Sequence, residues 1–437
     1  MSVAFSVFTP THRPDHLPQA FASLAAQTRV DWEWVIVPNG PDASVPDHIA
    51  RDPRVRVIVA PDANGEQRVG ALKRFACEHC RGDLLVELDH DDLLLPHALA
   101  RIGDAAQQGA AGFIYSDCAN FREDGSCDVY DGSFGWESYA VAETGCGPLT
   151  AMRAFAADAS SLHLIFFAPN HVRAWHRDAY AQAGGHDAAL AVADDHDLMC
   201  RTWLSGAPFH HIPECLYLYR LHADGRNTFV QRNAEIQQRQ QEISNRYVHA
   251  LIAEWCRRGA LPMVSLGSAS DCPPGYTHVG AAAAAAGVTG TAGIPFPDGS
   301  VGCVRAYDCL QYVPPCAGAR CDHGTHDGEP GRCVVGMMNE IYRVLAPGGW
   351  LVSRTPSSDG RDASAQPRQQ SLWNAEAFRA YTQREYAQHI AGLKCRFQAT
   401  RVWQDFPDAR RAAGEVRYVY ADLVALKGQR QPGICAI

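Results

Sequence analysis

The stretch VELDHDDLLLP, residues 86–96, runs from an apolar segment directly into three carboxylates, Asp89, Asp91 and Asp92. Like charges this close raise one another's pKa, so the cluster is costly unless a cation lies among them. On an extended chain residues i and i+2 point the same way, so Asp89 and Asp91 can face one ion together. The pattern therefore indicates a divalent metal that also contacts phosphate groups. The alternative is a solvated acidic turn, with Asp92 as the N-cap of a following helix.

Apolar runs and amphipathic stretches alternate on the N-terminal side of this cluster. The order is AFSVF, LPQAFASLAAQ, WEWVIVPNG, VRVIVAPDANG, EQRVGALKRFACEHC and LLVEL. Strand, helix and strand in this rhythm predict parallel pairing in a doubly wound α/β sheet, whose ligands collect at the carboxyl ends of the strands. Three predicted strands end in the polar segments TPTHRP, PNGP and DHDD. We therefore expect these segments to meet at one crevice.

A second acidic group follows in AVADDHDLMCRTWL, where Asp194, Asp195 and Asp197 open a predicted helix. A later apolar run, LYLYRLH, ends at His222. Taken alone, Asp194 and Asp195 are explained as acids that favour a helix N-terminus.

Together, these motifs resemble those of the family 2 glycosyltransferases of the GT-A fold across residues 4–225. The matching segments are FSVFTPTHRP, SLAAQTRVDWEWVIVPNGP, NGEQRVGALKRFACEHCRGDLLVELDHDDLLLPHAL and GGHDAALAVADDHDLMCRTWLSGAPFHHIPECLYLYRLH. The resemblance implies a Rossmann-like, mostly parallel sheet. It also implies a metal-dependent, inverting transfer of a sugar from a nucleotide-sugar donor to an acceptor hydroxyl, with Mn²⁺ or Mg²⁺ as the metal.

The resemblance also implies roles for individual residues. Asp89 would meet the nucleotide ribose or the water shell of the metal, and Asp91 would bind the metal that bridges the diphosphate. His222 would be a further ligand of the metal or of the phosphates. Asp195 matches the general base, which takes the proton from the acceptor hydroxyl as it attacks the anomeric carbon. The residues expected at the donor nucleotide also include Thr9, Pro10, Asn39 and Lys73.

The chain departs from the family pattern after the second predicted strand. The family often has two aspartates there, whereas this chain has Pro38 and Asn39. An amide both donates to and accepts from the edge of a uracil or thymine, so UDP or dTDP is favoured over GDP. Basic side chains near the crevice are either diphosphate contacts or a solvated face: Lys73, Arg74, His12 and Arg13.

The segment from Tyr115 to Arg173 is expected to shape the acceptor side, together with Asp194. Trp136 is either a shelf on which a sugar stacks or a core tryptophan. The acceptor hydroxyl belongs to a surface glycan, a protein, a lipid-linked sugar or a modified base in DNA, and the sequence does not rank these four.

The second half of the chain resembles the class I S-adenosylmethionine-dependent methyltransferases over residues 261–428. The segments that carry the resemblance are IPFPDGSVGCVRAYDCLQYVP and MNEIYRVLAPGGWLVSRTPS. Binding of S-adenosylmethionine needs a glycine-rich loop and an acid after the second strand. Here the loop LGSAS offers only Gly267, and Gly280 stands where the acid is expected. The domain is therefore either a degenerate one kept for packing or acceptor binding, or an active methyltransferase that uses Gly267 and Asp298.

The predicted fold class is thus an α/β, GT-A domain followed by a methyltransferase-like α/β domain. The predicted domains are 1–228, a connecting helix over 229–260, 261–428, and a tail over 429–437. An insertion between the methyltransferase-like segments holds potential zinc ligands, although a loop that contains Cys and His by chance fits their spacing better: Cys316, Cys321, His323, His326 and Cys333.

Composition limits the remaining possibilities. The formal net charge of −9 excludes a global basic field for nucleic acid or an anionic membrane. No run of about eighteen uncharged apolar residues occurs, and Pro10 interrupts the N-terminus. We therefore expect a cytoplasmic protein with reduced cysteines and no stable membrane insertion.

Three rival functions remain open at this stage. One is a methyltransferase whose first half only recruits a sugar-bearing substrate, and another is a binding protein with both sites inactive. A nucleotidyltransferase would also use paired acids at a strand end, but it would not need Asp195 together with the closing Tyr-Arg-x-His.

Overall fold

The structure is a computed structural model that describes residues 4–40, 43–61, 68–109, 111–142, 144–280, 293–316, 333–361, 367–428 and 430–433. The chain divides into two compact units, Met1–Leu251 and Ile252–Ile437, each built on its own sheet. The predicted α/β class is confirmed, with a parallel-rich sheet in the first half and a second sheet in the second half.

The first sheet is built from the apolar runs that the sequence marks as strands. Its strands among the described residues are β1 (Phe5–Thr11), β2 (Trp32–Pro38), β3 (Val55–Val57), β4 (Leu84–Glu87), β5 (Leu93–Leu94), β6 (Phe113–Phe121), β7 (Ser138–Val141), β8 (Leu149–Met152), β9 (Arg173–His176) and β10 (Phe209–Arg220). Their order is β3-β2-β1-β4-β9-β6-β10-β5, with the β7–β8 hairpin attached to β6. Strand β1 is parallel to β2 and β4, and β9 lies antiparallel between β4 and β6.

Helices cover this sheet and connect its strands. They are α1 (Leu17–Ala25), α2 (Asp47–Ala50), α3 (Val69–His79), α4 (Ala98–Gln108), α5 (Ala159–Leu164), α6 (Arg177–Gln182), α7 (Asp194–Leu204), α8 (Thr228–Gln231) and α9 (Asn233–Arg258), with a 3₁₀ turn at Gly132–Phe134. Helix α1 buries Leu17, Ala20 and Leu24 against the core, as its spacing requires. The single polar helix expected from residue 229 is divided, because Arg232 leaves the helical conformation between α8 and α9.

Helix α3 buries a different face from the one that its apolar spacing predicts. In the sequence, Val69, Leu72, Phe75 and Ala76 have helical spacing, whereas the buried residues are Gly70, Lys73, Ala76 and Cys77. A Cβ atom at Gly70 would collide with the carbonyl oxygen of Asp187, so only glycine allows this close approach. The amide of Gly70 donates to Leu190 O at 3.0 Å. The contact brings α3 beside the start of α7.

The second sheet contains β11 (Met263–Gly267), β12 (Tyr276–Gly280), β13 (Val301–Tyr307), β14 (Leu345–Pro356), β15 (Phe397–Asp405) and β16 (Tyr418–Ala425). Its order is β12-β11-β13-β14-β16-β15; the first four strands are parallel and β16 is antiparallel to both neighbours. The helices are α10 (Val334–Val344), α11 (Arg379–Thr382), α12 (Arg384–Ala387) and α13 (Ala409–Ala413), with 3₁₀ turns at Ala269–Asp271, Leu310–Tyr312 and Glu376–Phe378. The predicted helix MNEIYRVL lies in α10 and continues directly into β14.

Two sequence expectations concern the chain as a whole. Within the described residues, the buried cysteines with free thiols include Cys77, Cys80, Cys118 and Cys200. Within the same residues, no helix is both long enough and apolar enough to cross a bilayer.

Candidate functional site

A cavity of about 680 Å³ lies at the carboxyl ends of β1, β2, β4, β6 and β10. The three polar strand-end segments predicted to converge all contribute to its wall. Of the predicted site residues, those that line the cavity are Pro10, Asn39, Lys73, Asp89, Asp91, Asp194, Asp195 and His222. The structure therefore brings residues from both acidic groups, with the terminal histidine, to one cavity.

Two predicted site residues lie behind the cavity wall. The hydroxyl of Thr9 donates to Leu88 O at 2.6 Å and accepts from Trp34 Nε1 at 2.8 Å, so it ties together three strands of the sheet. The ring of Trp136 packs against Phe155, with the ring centroids 4.6 Å apart. Neither side chain is among those that line the cavity.

Asp91 and His222 form a close pair although they are far apart in the sequence. The Nε2 atom of His222 lies 2.7 Å from Oδ2 of Asp91. The backbone amide of His222 donates to Asn227 Oδ1 at 2.8 Å, which fixes the turn after β10. Burial opposes ionisation of Asp91, but the hydrogen bond with His222 and the electrostatic effects of His90 and His222 together outweigh it and lower the pKa of Asp91 to about 2.

A carboxylate oxygen and an imidazole nitrogen are both ligand types that divalent metal ions accept. Among the residues that the structure describes, no group of three or more His, Cys, Asp or Glu side chains is arranged to hold a metal. The third carboxylate of the opening motif is turned away: Asp92 accepts from Tyr217 OH at 2.8 Å and from Arg220 N at 2.7 Å.

Further histidines surround Asp91. The rings of His12 and His90 are 5.0 Å apart, and those of His16 and His222 are 5.2 Å apart. Burial lowers the pKa of His90 to about 4 and also lowers those of His12 and His16. These imidazoles are therefore neutral near pH 7. His16 was not anticipated from the sequence.

A buried chain of charges connects Lys73 to Asp195. Lys73 donates to Glu87 Oε1, and Arg173 Nη1 lies 3.7 Å from Glu87 Oε2 and donates to Asp195 Oδ2. Burial opposes ionisation of Glu87, but the charges of Lys73 and Arg173 outweigh it and lower the pKa of Glu87 to about 2. Glu87 and Arg173 were not predicted as site residues. The signal that could have found them is a charged residue inside the apolar segments LLVEL and HVRAW.

Asp195 presents an ionised carboxylate at the start of α7. Its Oδ1 atom accepts from His196 N at 2.8 Å, while Oδ2 accepts from Arg173. Burial opposes its ionisation, yet the charges of Arg173 and Lys73 hold the pKa of Asp195 well below its ordinary value. The side chain nevertheless lines the cavity. The ionised carboxylate is therefore accessible from the cavity.

Asp194 lies deeper than Asp195. Its Oδ2 atom is 3.7 Å from Lys73 Nζ and 3.5 Å from His186 Nε2. Burial and the neighbouring charge of Asp195 raise the pKa of Asp194 to about 7, although Lys73 opposes this shift. Asp89 behaves similarly, because burial and the nearby carboxylates raise its pKa to about 7.

The residues proposed for S-adenosylmethionine lie apart. Gly267 ends β11, whereas Asp298 precedes β13 and forms a 2.6 Å ion pair with Arg343. Because β11 and β13 are parallel, the end of one and the start of the other are at opposite ends of the sheet. A Cβ atom at Gly267 would lie 2.7 Å from Tyr307 O, so this glycine is required by strand packing.

Two further segments contain cysteines: the insertion after β13 and the segment CEHC at residues 77–80. In the insertion, Cys321, His323 and His326 lie outside the described residues. In CEHC, both cysteines are buried, and burial raises the pKa of the Cys80 thiol to about 12. Such a thiol is an inert packing group at neutral pH.

Sequence comparison gives a family match for the first half of the chain. Residues 6–182 match the family described as Glycosyl transferase family 2. A segment of 223 residues is 30% identical to the O-antigen biosynthesis protein RfbC of Myxococcus xanthus, covering 48% of this chain and 15% of that protein. A segment of 134 residues is 33% identical to the uncharacterized protein y4gI of Sinorhizobium fredii (strain NBRC 101917 / NGR234), covering 29% of this chain and 14% of that protein. The chain thus matches only a small part of the length of these curated relatives.

Structural comparison finds similar solved proteins at low identity. S. aureus TarS 1-349 in complex with UDP-GlcNAc has a TM-score of 0.38 and 14% identity, covering 50% of this chain and 59% of that one. The mannosyltransferase PcManGT from Pyrobaculum calidifontis, in complex with GDP-Man and Mn²⁺, has a TM-score of 0.39 and 15% identity, covering 59% and 70%. The methyltransferase-like assignment of residues 261–428 finds no support in these comparisons.

Proposed function

We propose that this chain, whose residues 6–182 match the family 2 glycosyltransferases, is a metal-dependent inverting glycosyltransferase. It moves a sugar from a nucleotide-sugar donor to an acceptor hydroxyl. The observation that carries the proposal is the shared cavity: the Asp91–His222 pair and the ionised carboxylate of Asp195 line the same space. A single displacement at the anomeric carbon requires the metal-bound diphosphate and the general base to share one cavity.

The donor nucleotide is assigned to the side of the cavity formed by the ends of β1, β2 and β4. Asn39 is buried, lines the cavity and carries an amide suited to the edge of uracil or thymine, which supports UDP or dTDP. Pro10 and Asp89 line the same cavity, and Asp89 would meet the ribose hydroxyls or the water shell of the metal.

Asp91 and His222 are the residues that would hold Mn²⁺ or Mg²⁺. The bound ion would act as a Lewis acid that neutralises charge on the departing diphosphate. Lys73 donates its hydrogen bond to Glu87, so it would act on the donor phosphates through its positive charge and not through a direct hydrogen bond.

Asp195 is the proposed general base. The acceptor oxygen attacks the anomeric carbon while its proton passes to Asp195, and the bond between that carbon and the diphosphate oxygen breaks. The nucleoside diphosphate departs with the electron pair, so no covalent enzyme intermediate forms and the configuration inverts. The ionised state of Asp195 and its place on the cavity wall support this role.

The test is a panel of nucleotide sugars, with and without Mn²⁺, scored by thermal shift and by slow donor hydrolysis. UDP-sugars with Mn²⁺ should raise the melting temperature by linkage. Asp91→Asn should abolish the part of the shift that needs Mn²⁺. Asp195→Asn should keep that shift but lower turnover by about 10²-fold or more.

Asp178→Asn is the matched control, because Asp178 is an exposed aspartate on α6 that does not line the cavity. It should change neither measurement. Full turnover in Asp195→Asn would show that Asp195 is not the general base. Equal thermal shifts with and without Mn²⁺ would show that donor binding does not need the metal.

A further inference from the structure

An aromatic wall stands on the acceptor side of the cavity. It is formed by Tyr130, Phe166 and Phe167, all of which line the cavity. The rings of Tyr130 and Phe167 are 5.2 Å apart. Trp136 supports both from behind: its ring centroid is 4.7 Å from that of Tyr130, and its ring is nearly parallel to that of Phe167, with the centroids 5.9 Å apart. The wall is therefore a packed, preformed apolar surface.

Two amide oxygens beside this wall have no hydrogen-bond partner within the described part of the chain. They are Oδ1 of Asn120 and Oδ1 of Asn170, and both residues line the cavity although they are only 4% and 3% exposed. Their amide nitrogens are engaged, with Asn120 Nδ2 donating to Asp128 O at 3.2 Å and Asn170 Nδ2 to Cys118 Sγ at 3.1 Å. A buried carbonyl oxygen without a donor is costly. These two oxygens are therefore suited to a ligand that brings hydroxyl donors.

The same region is tied directly to Asp195. The guanidinium of Arg173 donates from Nε to Pro169 O at 3.0 Å and from Nη2 to Phe167 O at 3.1 Å, while Nη1 donates to Asp195. The segment from Phe167 to Asn170 therefore lies next to the proposed base. In an inverting displacement the base and the departing diphosphate are on opposite sides of the anomeric carbon, so the surface beside the base faces the acceptor.

Resting on the proposed function, we infer that Asn120, Asn170 and the aromatic wall form an acceptor subsite that binds a pyranose ring. Two ring hydroxyls donate to the amide oxygens, and the C–H face of the ring packs on Tyr130 and Phe167. This chemistry favours a glycan or a lipid-linked sugar over a protein hydroxyl, because a serine or threonine side chain has a single hydroxyl and no ring to pack on the wall. It also selects against DNA, whose phosphates would meet a chain with a net charge of −9.

The experiment is saturation-transfer NMR of the full chain with a panel of methyl hexopyranosides, including N-acetylated and deoxy forms, in the presence of UDP and Mn²⁺. Sorbitol, an open-chain polyol, is the ligand control. At least one pyranoside should receive saturation at its ring protons, and sorbitol should not. Asn120→Ala, Asn170→Ala and Phe167→Leu should each weaken its binding by about 3- to 10-fold.

Asn245→Ala, on the exposed face of α9, is the matched control and should bind as the wild type does. The thermal shift produced by UDP and Mn²⁺ verifies that each variant is folded with an intact nucleotide site. The subsite is overturned if no pyranoside receives saturation from the protein, or if the three variants bind the pyranoside as tightly as the wild type does. The subsite is also overturned if the Asn120→Ala and Asn170→Ala variants bind UDP-sugars more weakly than the wild type, while their binding of UDP and of pyranosides is unchanged. The amides would then hold the sugar of the donor. Failure of the proposed function is a separate result, namely the absence of any donor turnover in the wild type.

Discussion

The guanidinium of Arg173 donates to the carboxylate of Asp195 from a position that is 1% exposed. Arg173 and Asp195 are 22 positions apart in the sequence, and they meet because β9 is inserted antiparallel beside β4. The Nε and Nη2 atoms of Arg173 donate to the carbonyl oxygens of Pro169 and Phe167. Arg173 is thus a positioning residue: it fixes both the orientation and the charge of the proposed base.

Replacing Arg173 should move the acid limb of the pH–rate profile. With Arg173 present, the pKa of Asp195 is well below its ordinary value, so the base stays ionised as the pH falls. In Arg173→Met this charge is lost while burial remains, so the pKa of Asp195 rises. The acid limb of kcat/KM should shift upward by about 1 to 3 pH units.

Arg173→Lys is the matched variant for this prediction. It keeps a positive charge but loses the planar fork, so it should restore most of the acid tolerance without restoring full activity. The pH profile separates this role from a purely structural one, which lowers the rate equally at every pH. An acid limb at the same pH in wild type and Arg173→Met would refute the assignment.

Glu87→Gln should destabilise the first unit at neutral pH. Glu87 is the buried counter-charge of both Lys73 and Arg173, and removing one partner of a buried ion pair costs about 3–5 kcal/mol. The pKa of Glu87 is lowered to about 2, so its contribution is present above the ordinary carboxyl pKa and is lost as the pH falls toward 2. Urea unfolding should therefore show a larger difference from wild type at pH 7 than at pH 3.

Glu78→Gln is the control for this measurement. Glu78 forms an exposed pair with Arg74 one turn away on α3, and such pairs contribute about 0–1 kcal/mol. Equal destabilisation by the two substitutions, or a Glu87→Gln effect that does not depend on pH, would contradict the buried network.

Binding of Mn²⁺ should depend on the nucleotide. Only Asp91 and His222 are assigned as protein ligands, so the diphosphate must complete the coordination shell. Titration followed by Mn²⁺ electron paramagnetic resonance should give weak binding to the protein alone and tighter binding with UDP. His222→Gln should weaken the UDP-dependent binding by about tenfold or more, whereas His176→Gln, which changes a half-buried histidine outside the cavity, should not. Tight binding of Mn²⁺ without UDP would require further protein ligands.

The sequence predicts the strands and their polar ends well because both are local features. An apolar run followed by a polar turn is visible in FSVFTPTHRP, in WEWVIVPNG and in VELDHDD, and parallel pairing then brings these ends together. Asp91 and Asp195 are recognisable for the same reason, since each belongs to a compact acidic motif.

The buried charges could not be predicted in this way, because their meaning depends on tertiary pairing. Lys73 was judged by the spacing of α3 to be a diphosphate contact or part of a solvated face. In the fold Lys73 is buried, because Gly70 allows the turn at residues 187–190 to approach the helix. Its charge is paired with the carboxylate of Glu87 on β4. Trp136 shows the same limit: its type allows either a sugar shelf or a core tryptophan, and only the packing places it behind Tyr130 and Phe167.

The second unit should not bind S-adenosylmethionine. Gly267 and Asp298 are at opposite ends of the sheet, and Gly267 is held against Tyr307 O by strand packing. Beside the end of β11, Arg305 lies over the ring of Tyr307 at 3.8 Å and forms a 2.9 Å ion pair with Asp271. The carboxyl ends of β11 and β13 are thus occupied by the unit's own charged and aromatic side chains. Isothermal titration of the full chain with S-adenosylmethionine should give no binding heat at millimolar ligand, and titration with UDP and Mn²⁺ serves as the positive control. Micromolar binding that Gly267→Ala abolishes, with the UDP response intact, would instead establish an active cofactor site in this unit.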